Sequence, residues 1–320
     1  MKQALVVGPE QIELEDTEPP EPGPGQVRVW VTSCGVCASE LPGYLAGPDG
    51  GAPLRPGHEV SGVIDKVGAG VGGLRPGTSV TGLFHGGFAE YAVTTSDRVL
   101  PVPDGLDADD VMGEPWSCVV SAANRMRVDV GDTVALVGLG FMGLLMLQLI
   151  RHQWSARVIG VDPRQHVRDA ALRMGADEVV APDQVPASLL IGMRHEIAPD
   201  TGVDLAVEAT GVGPGLTLAA RMVREHGRLS ILGYHNHGGG DRTLDMQLWN
   251  WKALEVLNAH DRRDGAKMVA MRQAMRMLAA GRIDTRPLIT HRLPLERIDE
   301  AFQLSENKPE GYIKALIEMR

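Results

Sequence analysis

The stretch TVALVGLGFMGLLMLQLIRH, residues 133–152, decides the fold. After Thr133 its next four residues, VALV, are continuously apolar, as a strand buried on both faces reads. Gly138, Gly140 and Gly143 follow in G-x-G-x-x-G spacing, with Phe141 and Met142 between the last two, and helical text begins there. A glycine-rich turn without a ligand gives the same spacing; the strand before and the helix after select a dinucleotide fingerprint. In that reading the first glycine makes the tight turn, the second admits pyrophosphate, and the third lets helix pack on strand. Amides at the helix start then face the phosphates.

Reading toward the C-terminus, the βα rhythm continues. ARVIGVD (156–162), EVV (178–180), VDLAVEATG (203–211), GRLSILG (227–233) and ALEVL (253–257) supply five further apolar runs separated by helical text. Six such runs predict a doubly wound parallel sheet. Asp162 ends the second run, 24 residues after Gly138. An acid there accepts both ribose hydroxyls and repels a 2′-phosphate, which points to NAD rather than NADP. A helix N-cap is the other role for Asp162, and Arg164 argues the other way because an arginine can serve a 2′-phosphate.

Outside this block the text differs. Val27, Val29 and Val31 alternate with period two, and short strand-like runs broken by Pro and Gly continue to about residue 105. After residue 257 come a Met-rich helical stretch, the segment LITHRLPL and a last strand in YIKALIEM, too little to form its own core. The expected organisation is therefore 1–120 as the first part of a β-rich domain, 121–257 as the nucleotide domain, and 258–320 as a return to the first.

Composition narrows the function classes. The chain has 320 residues, 43% hydrophobic and 22% charged, with a formal net charge of −10. An acidic chain with scattered Lys and Arg argues against nucleic acid and anionic membranes as partners. No run approaches the roughly 20 apolar residues of a membrane span. Three cysteines, Cys34, Cys37 and Cys118, make neither an even disulfide framework nor a four-cysteine zinc site. The expectation is a cytoplasmic protein with reduced thiols.

In the β-rich part, GVCASE (35–40) is followed by GHE (57–59), with His58 21 residues after Cys37, and Glu114 stands further on. Thiolate, imidazole and carboxylate suit zinc, leaving a fourth position for water or an alcohol oxygen. Bound Zn²⁺ lowers the pKa of that oxygen. Purely structural roles for Cys37 and His58, and a helix-start role for Glu114, are the alternatives.

With RPGHEVSGVIDKVGAGV (55–71), GGFAEYAV (86–93), EPWSCVVSA (114–122), VEATG (207–211) and PEGYIKALI (309–317), the chain resembles the medium-chain dehydrogenase/reductase family nearly end to end. It is similar to the zinc-dependent alcohol, polyol and threonine dehydrogenase branch. The resemblance implies an α/β fold, a Rossmann doubly wound sheet plus a GroES-like β-rich catalytic domain. It implies Cys37, His58 and Glu114 as zinc ligands, with Glu59 entering the metal shell transiently. Ser39 would take the alcohol proton, and Glu40 would orient a ligand from behind. Thr210 and Gly233 would join the cofactor site, and Lys314 would lie near the pyrophosphate.

Two departures bear on this. FHGG (84–87) runs straight through where many relatives insert a four-cysteine lobe, so one catalytic zinc per chain and no structural zinc is expected. Pro42 replaces a relay histidine, leaving His85 and Tyr44 as candidates for the relay beyond Ser39.

Phe84 and Trp116 fall where the family lines its substrate pocket, or pack in the core. The segment from Tyr234 to Gly240 reads as a surface loop or as a second metal site. Asn250, Asn258, His260 and Asp261, with Glu114, tilt the substrate toward a polyol, cyclitol or sugar-derived secondary alcohol. The expected activity is hydride transfer between NAD(H) and a small alcohol or ketone, by a homodimer or homotetramer. A metal-independent enone or quinone reductase and a non-catalytic nucleotide sensor are the competing readings.

Overall fold

The computed structural model describes residues 1–154, 156–191, 201–236 and 240–319. Two compact units divide the chain: Met1–Cys118 with Arg262–Arg320, and Val119–Asp261.

The first unit opens with β1 (Lys2–Gly8) and β2 (Gln11–Asp16), an antiparallel pair. Then come β3 (Gln26–Gly35), α1 (Leu41–Ala46), β4 (Glu59–Val67), β5 (Ser79–Gly82), β6 (Tyr91–Thr95), β7 (Val99–Pro101) and α2 (Ala108–Val111). α3 (Gly113–Arg125) begins in this unit. In β3 the alternation holds: Val27, Val29 and Val31 are wholly buried while Trp30 is 44% exposed. Asp107 caps α2 by accepting the amide of Asp109 at 3.0 Å.

The second unit carries β8 (Thr133–Val137), α4 (Phe141–Gln153), β9 (Arg157–Val161), α5 (Gln165–Arg173), β10 (Glu178–Val180), β11 (Val203–Glu208), α6 (Gly213–Met222), β12 (Val223–Ile231), α7 (Met246–Lys252) and β13 (Glu255–Asn258). All pairings are parallel, in the order β10-β9-β8-β11-β12-β13. This is the doubly wound order, with the turn after β8 at the switch point where ligands bind. The core of this unit is aliphatic, including Ala135, Val137, Ile159, Val161, Leu216 and Leu229.

The chain then supplies the first unit with α8 (Asp264–Ala279), β14 (His291–Pro294), α9 (Ile298–Asn307) and β15 (Ala315–Glu318). β15 pairs antiparallel with β3, setting Leu316 opposite Gly35 and Ile317 opposite Cys34. The resulting seven-stranded sheet runs β14-β15-β3-β4-β5-β7, with β6 pairing β3. The fold class legible in the sequence is the one observed. Among the described residues no helix is long and apolar enough to cross a membrane.

Candidate functional site

Three donors converge in the first unit. Cys37 leaves β3, and His58 and Glu59 open β4, the neighbouring strand; their ligand atoms all lie within 4.8 Å of one another. Gly57 makes the approach possible: at φ +105° its backbone sits where a Cβ would stand 2.4 Å from the Phe88 nitrogen. Gly35 is under similar constraint, because its Cβ would lie 2.0 Å from Glu59 Oε2.

The surroundings orient each donor. Glu40 Oε1 accepts the Gly57 amide at 2.5 Å and lies 3.1 Å from His58 Nδ1. An ionised carboxylate only accepts, so Nδ1 donates to it, and Nε2 is the nitrogen a metal would meet on displacing its proton, the usual arrangement behind a metal-binding histidine. Burial works against a charged His58, but the Cys37 and Glu40 side chains outweigh it and push its pKa up to about 12. Anionic groups thus dominate this spot. Ser39 Oγ lies 3.2 Å from Cys37 Sγ.

Glu59 is buried and faces Lys314, whose Nζ stands 2.9 Å from Oε1 and 2.6 Å from Oε2. The contact with Oε2 is charge proximity without hydrogen-bond geometry, so its lone pairs remain available. Glu40 Oε2 is likewise buried with no hydrogen-bond partner. Thiolate, imidazole and two under-satisfied buried carboxylates are a donor set that fits zinc.

Two expected positions differ. Glu114 is not among the three convergent donors: its Oε1 accepts from Lys267 Nζ at 3.2 Å and Cys118 Sγ at 3.3 Å. The cause is local, since Glu114 sits in the first turn of α3 with its charge already met by a cation on α8. Lys314, expected beside pyrophosphate, instead donates to Glu59 and to the Val36 carbonyl at 2.8 Å. Although burial opposes its charge, Glu59 holds its pKa above the usual lysine value.

Several other candidates are absorbed by packing. Cys34 is wholly buried, which pushes its thiol pKa well up; burial does the same to Cys118. Phe84 and Trp116 are buried, and the Trp116 indole donates to Thr285 at 2.8 Å. Tyr44 donates to Asp299 at 3.0 Å, and burial pushes its pKa to about 12; His85 is exposed.

In the second unit, Gly138 (φ +98°) donates its amide to Val161, and a Cβ on Gly143 would stand 2.0 Å from the Gly138 oxygen. α4 starts at Phe141 with no side-chain cap, and Met142 and Gly143 complete its exposed-amide turn. Asp162 is buried, and both its oxygens are engaged. Oδ1 accepts the backbone amide and Nε of Arg164, each at 3.0 Å; Oδ2 accepts the Leu139 amide at 2.9 Å and Arg164 Nη2 at 3.0 Å. Arg164 thereby reaches the phosphate turn, with Nη2 3.7 Å from where Gly140 would carry a Cβ.

Glu208, wholly buried at the end of β11, was given no role by sequence reasoning. Its Oε1 accepts from Thr210 Oγ1 at 2.5 Å and from the amides of Thr210 and Gly211; Oε2 lies 3.0 Å from His235 Nε2. Gly233 donates its amide to the Glu208 carbonyl at 2.9 Å, which sets Thr210 and Gly233 on adjacent strand ends beside the Gly138 turn. Asn258 accepts the His260 amide, and His260 Nε2 lies 3.3 Å from the Gly233 oxygen, so both are engaged within this unit. Of the polar segment beginning at Tyr234, His237, Gly238 and Gly239 lie outside the described residues.

Residues 23–104 match the alcohol dehydrogenase GroES-like domain and residues 142–263 the zinc-binding dehydrogenase domain. The chain is 26% identical to an L-threonine 3-dehydrogenase of Pyrococcus horikoshii, covering 91% of each chain. It is 28% identical to a sorbitol dehydrogenase of Gallus gallus, covering 92% of this chain and 90% of that one. A crystal structure of 2R,3R-butanediol dehydrogenase from Bacillus subtilis superposes with a TM-score of 0.84 at 23% identity, over 100% of this chain and 99% of that one.

Proposed function

The chain belongs to the zinc-binding, medium-chain alcohol and polyol dehydrogenases, and we propose that it interconverts a small secondary alcohol and its ketone using one catalytic zinc and a nicotinamide dinucleotide. The observation that carries this reading is the convergence of Cys37, His58 and Glu59. When bound, zinc supplies the Lewis acidity that makes an alcohol oxygen acidic near neutral pH, and the nicotinamide supplies the hydride acceptor.

Cys37, His58 and Glu59 would hold the metal. Glu40 engages His58 Nδ1, so that Nε2 is the nitrogen left for the metal. Lys314 holds Glu59 in place and offsets its charge, which keeps the two anionic donors, Cys37 and Glu59, compatible side by side. Ser39 Oγ, next to Cys37, accepts the alcohol proton and passes it outward. The Gly138–Gly143 turn would receive pyrophosphate at the start of α4, and Asp162 with Arg164 would receive the adenosine ribose. Asp162 is the argument for NAD; Arg164 is the argument for tolerating NADP.

The chain acts as a homo-oligomer. β13 ends the six-stranded sheet, with Val256 41% exposed on it, and edge pairing between two copies would cover that strand. Three cysteines, two of them packed, leave no set for a structural zinc.

The test is metal analysis together with a cofactor-reduction screen over alcohols, polyols and cyclitols. About one zinc per chain and zinc-dependent turnover on secondary alcohols is the expected result. A metal-free chain active only on enones would overturn it.

A further inference from the structure

Glu208 closes β11 as a wholly buried carboxylate, and glycines make the space for it. A Cβ on Gly233 would stand 2.6 Å from Glu208 Oε2 and 2.3 Å from the Gly211 nitrogen, and one on Gly215 would stand 2.1 Å from Thr210 Oγ1. Oε1 accepts the amides of Thr210 and Gly211 and the Thr210 hydroxyl. Amides and hydroxyls carry no net charge, so these bonds orient the carboxylate without balancing it. A buried anion left unbalanced is costly, and more so in a unit that must bring an anionic pyrophosphate to the neighbouring turn.

The balancing charge arrives through a ring. Glu208 Oε2 lies 3.0 Å from His235 Nε2, and His235 Nδ1 accepts from Arg242 Nε at 2.9 Å. A guanidinium only donates, so Nδ1 is the ring's acceptor and Nε2 carries the proton offered to Glu208. The imidazole is therefore neutral, and the cation of the Glu208–His235–Arg242 chain is the guanidinium. Arg242 also donates through Nη2 to the Gly211 carbonyl at 3.3 Å and through Nη1 to its neighbour's, Asp241, at 2.7 Å. Both ends of the chain thus grip the turn that follows β11.

That turn borders the dinucleotide fingerprint. A Cβ on Gly138 would stand 2.8 Å from Thr210 Cγ2 and 2.9 Å from the Ala209 carbonyl carbon, and the Ala209 amide donates to Val137 at 2.7 Å. In so close a packing a shift of Thr210 is felt at Gly138. We infer that Arg242, acting through His235, balances the buried Glu208 carboxylate, and that the three together position Thr210 and Gly211 for the cofactor. This rests on the dinucleotide reading above. Arg242 and His235 are positioning residues in this sense.

The arrangement carries a pH signature that a plain structural brace lacks. Among the described residues, the charged and titratable groups around His235 are Glu208 from β11, Arg242 from the segment before α7, and Tyr234 beside it. The Tyr234 ring stands edge-on to His260, after β13, at 5.5 Å, and Arg125 of α3 donates to the His260 carbonyl. With Arg242 in place, a proton on Nδ1 would break a hydrogen bond and meet a cation. In Arg242→Met that nitrogen is open, so His235 itself can take a proton and balance Glu208 in acid but not in alkali.

Fluorescence titration with NADH at about pH 6 and about pH 9 reads the difference. The Kd of Arg242→Met relative to wild type should stay within about twofold at the lower pH and rise to about tenfold at the higher. Arg242→Lys, which keeps a cationic donor, should recover most of the loss at the higher pH. The double variant Arg242→Met/His235→Gln should bind weakly at both. Independently of binding, proton–nitrogen correlation NMR of the wild-type chain should show His235 protonated at Nε2 alone across this range. A Kd ratio for Arg242→Met that does not change with pH, or a wild-type His235 that takes a second proton within the range, overturns the inference while leaving the cofactor site standing. A wild-type chain that binds neither NADH nor NADPH overturns both.

Discussion

Lys314 Nζ lies 2.6 Å from Glu59 Oε2 and donates to the carbonyl of Val36, the residue before Cys37. One ammonium from the segment leading into β15 therefore braces both ends of the metal-donor set. Removing one partner of so buried a pair leaves a charge without compensation, which costs about 3–5 kcal/mol. Lys314→Met should lower the unfolding free energy by about 3 kcal/mol in metal-free protein, and by less when zinc is present, because the metal then supplies the missing positive charge. Denaturant titrations with and without zinc measure both; equal losses would show that Glu59 does not meet the metal.

The three cysteines separate into one ligand and two packed thiols. Cys37→Ala should abolish zinc uptake, whereas Cys34→Ala and Cys118→Ala should retain it, with a stability cost of about 1 kcal/mol each for the lost packing. Zinc per chain after dialysis against excess metal decides this. Loss of zinc in Cys118→Ala would bring the α3 side of the site into the ligand set.

The nucleotide sheet was legible in the text because burial on both faces gives continuous apolar runs, and because Gly138, Gly140 and Gly143 announce the turn between one strand and its helix. Cys37, His58 and Glu59 were legible as residue types at family spacing. What the text could not carry was pairing across long separations. Lys267 meets Glu114 from 153 residues away, and Lys314 meets Glu59 from 255, with no local periodicity to signal either. Glu114 was therefore read as a ligand from its position alone, and Lys314 as a phosphate contact. Glu208 was visible inside VEATG, but an acid at a strand end does not reveal that three donors from the next turn converge on one of its oxygens.

Lys252 is a buried cation with no carboxylate partner among the described residues. Its Nζ donates to the carbonyls of Ala220, Arg221 and Val223 at 2.8–2.9 Å, closing the C-terminal end of α6. Burial disfavours the ammonium and lowers its pKa from 10.5 to about 8. Between those values the unfolded chain binds more protons than the folded one, so this residue makes stability rise with pH across that window. The penalty is fully present below pH 8 and gone above 10.5. Compared with Lys252→Met, the wild-type chain should gain about 1–2 kcal/mol between the two limits, allowing for solvent screening. Near neutral pH the variant should still be the less stable protein, since three helix-end carbonyls lose their donor. Urea titrations of both proteins at several pH values read the difference; a parallel pH dependence would exclude Lys252 as the titrating group.

The carboxylate of Asp162 has four hydrogen-bond donors on its two oxygens, two of them from the Arg164 side chain. With ribose hydroxyls as further donors, Arg164 must yield at least one of its contacts for Asp162 to grip NAD, whereas a 2′-phosphate could be met by the guanidinium with Asp162 left as it stands. Arg164→Gln removes that competition and the positive charge together. NADH should then bind tighter or equally well and NADPH about tenfold weaker, so the ratio of the two Kd values moves toward NAD by an order of magnitude or more. Fluorescence titration of each reduced cofactor gives the two constants without any substrate. If both weaken alike, Arg164 is a structural cap on Asp162, and discrimination at the ribose lies with other residues.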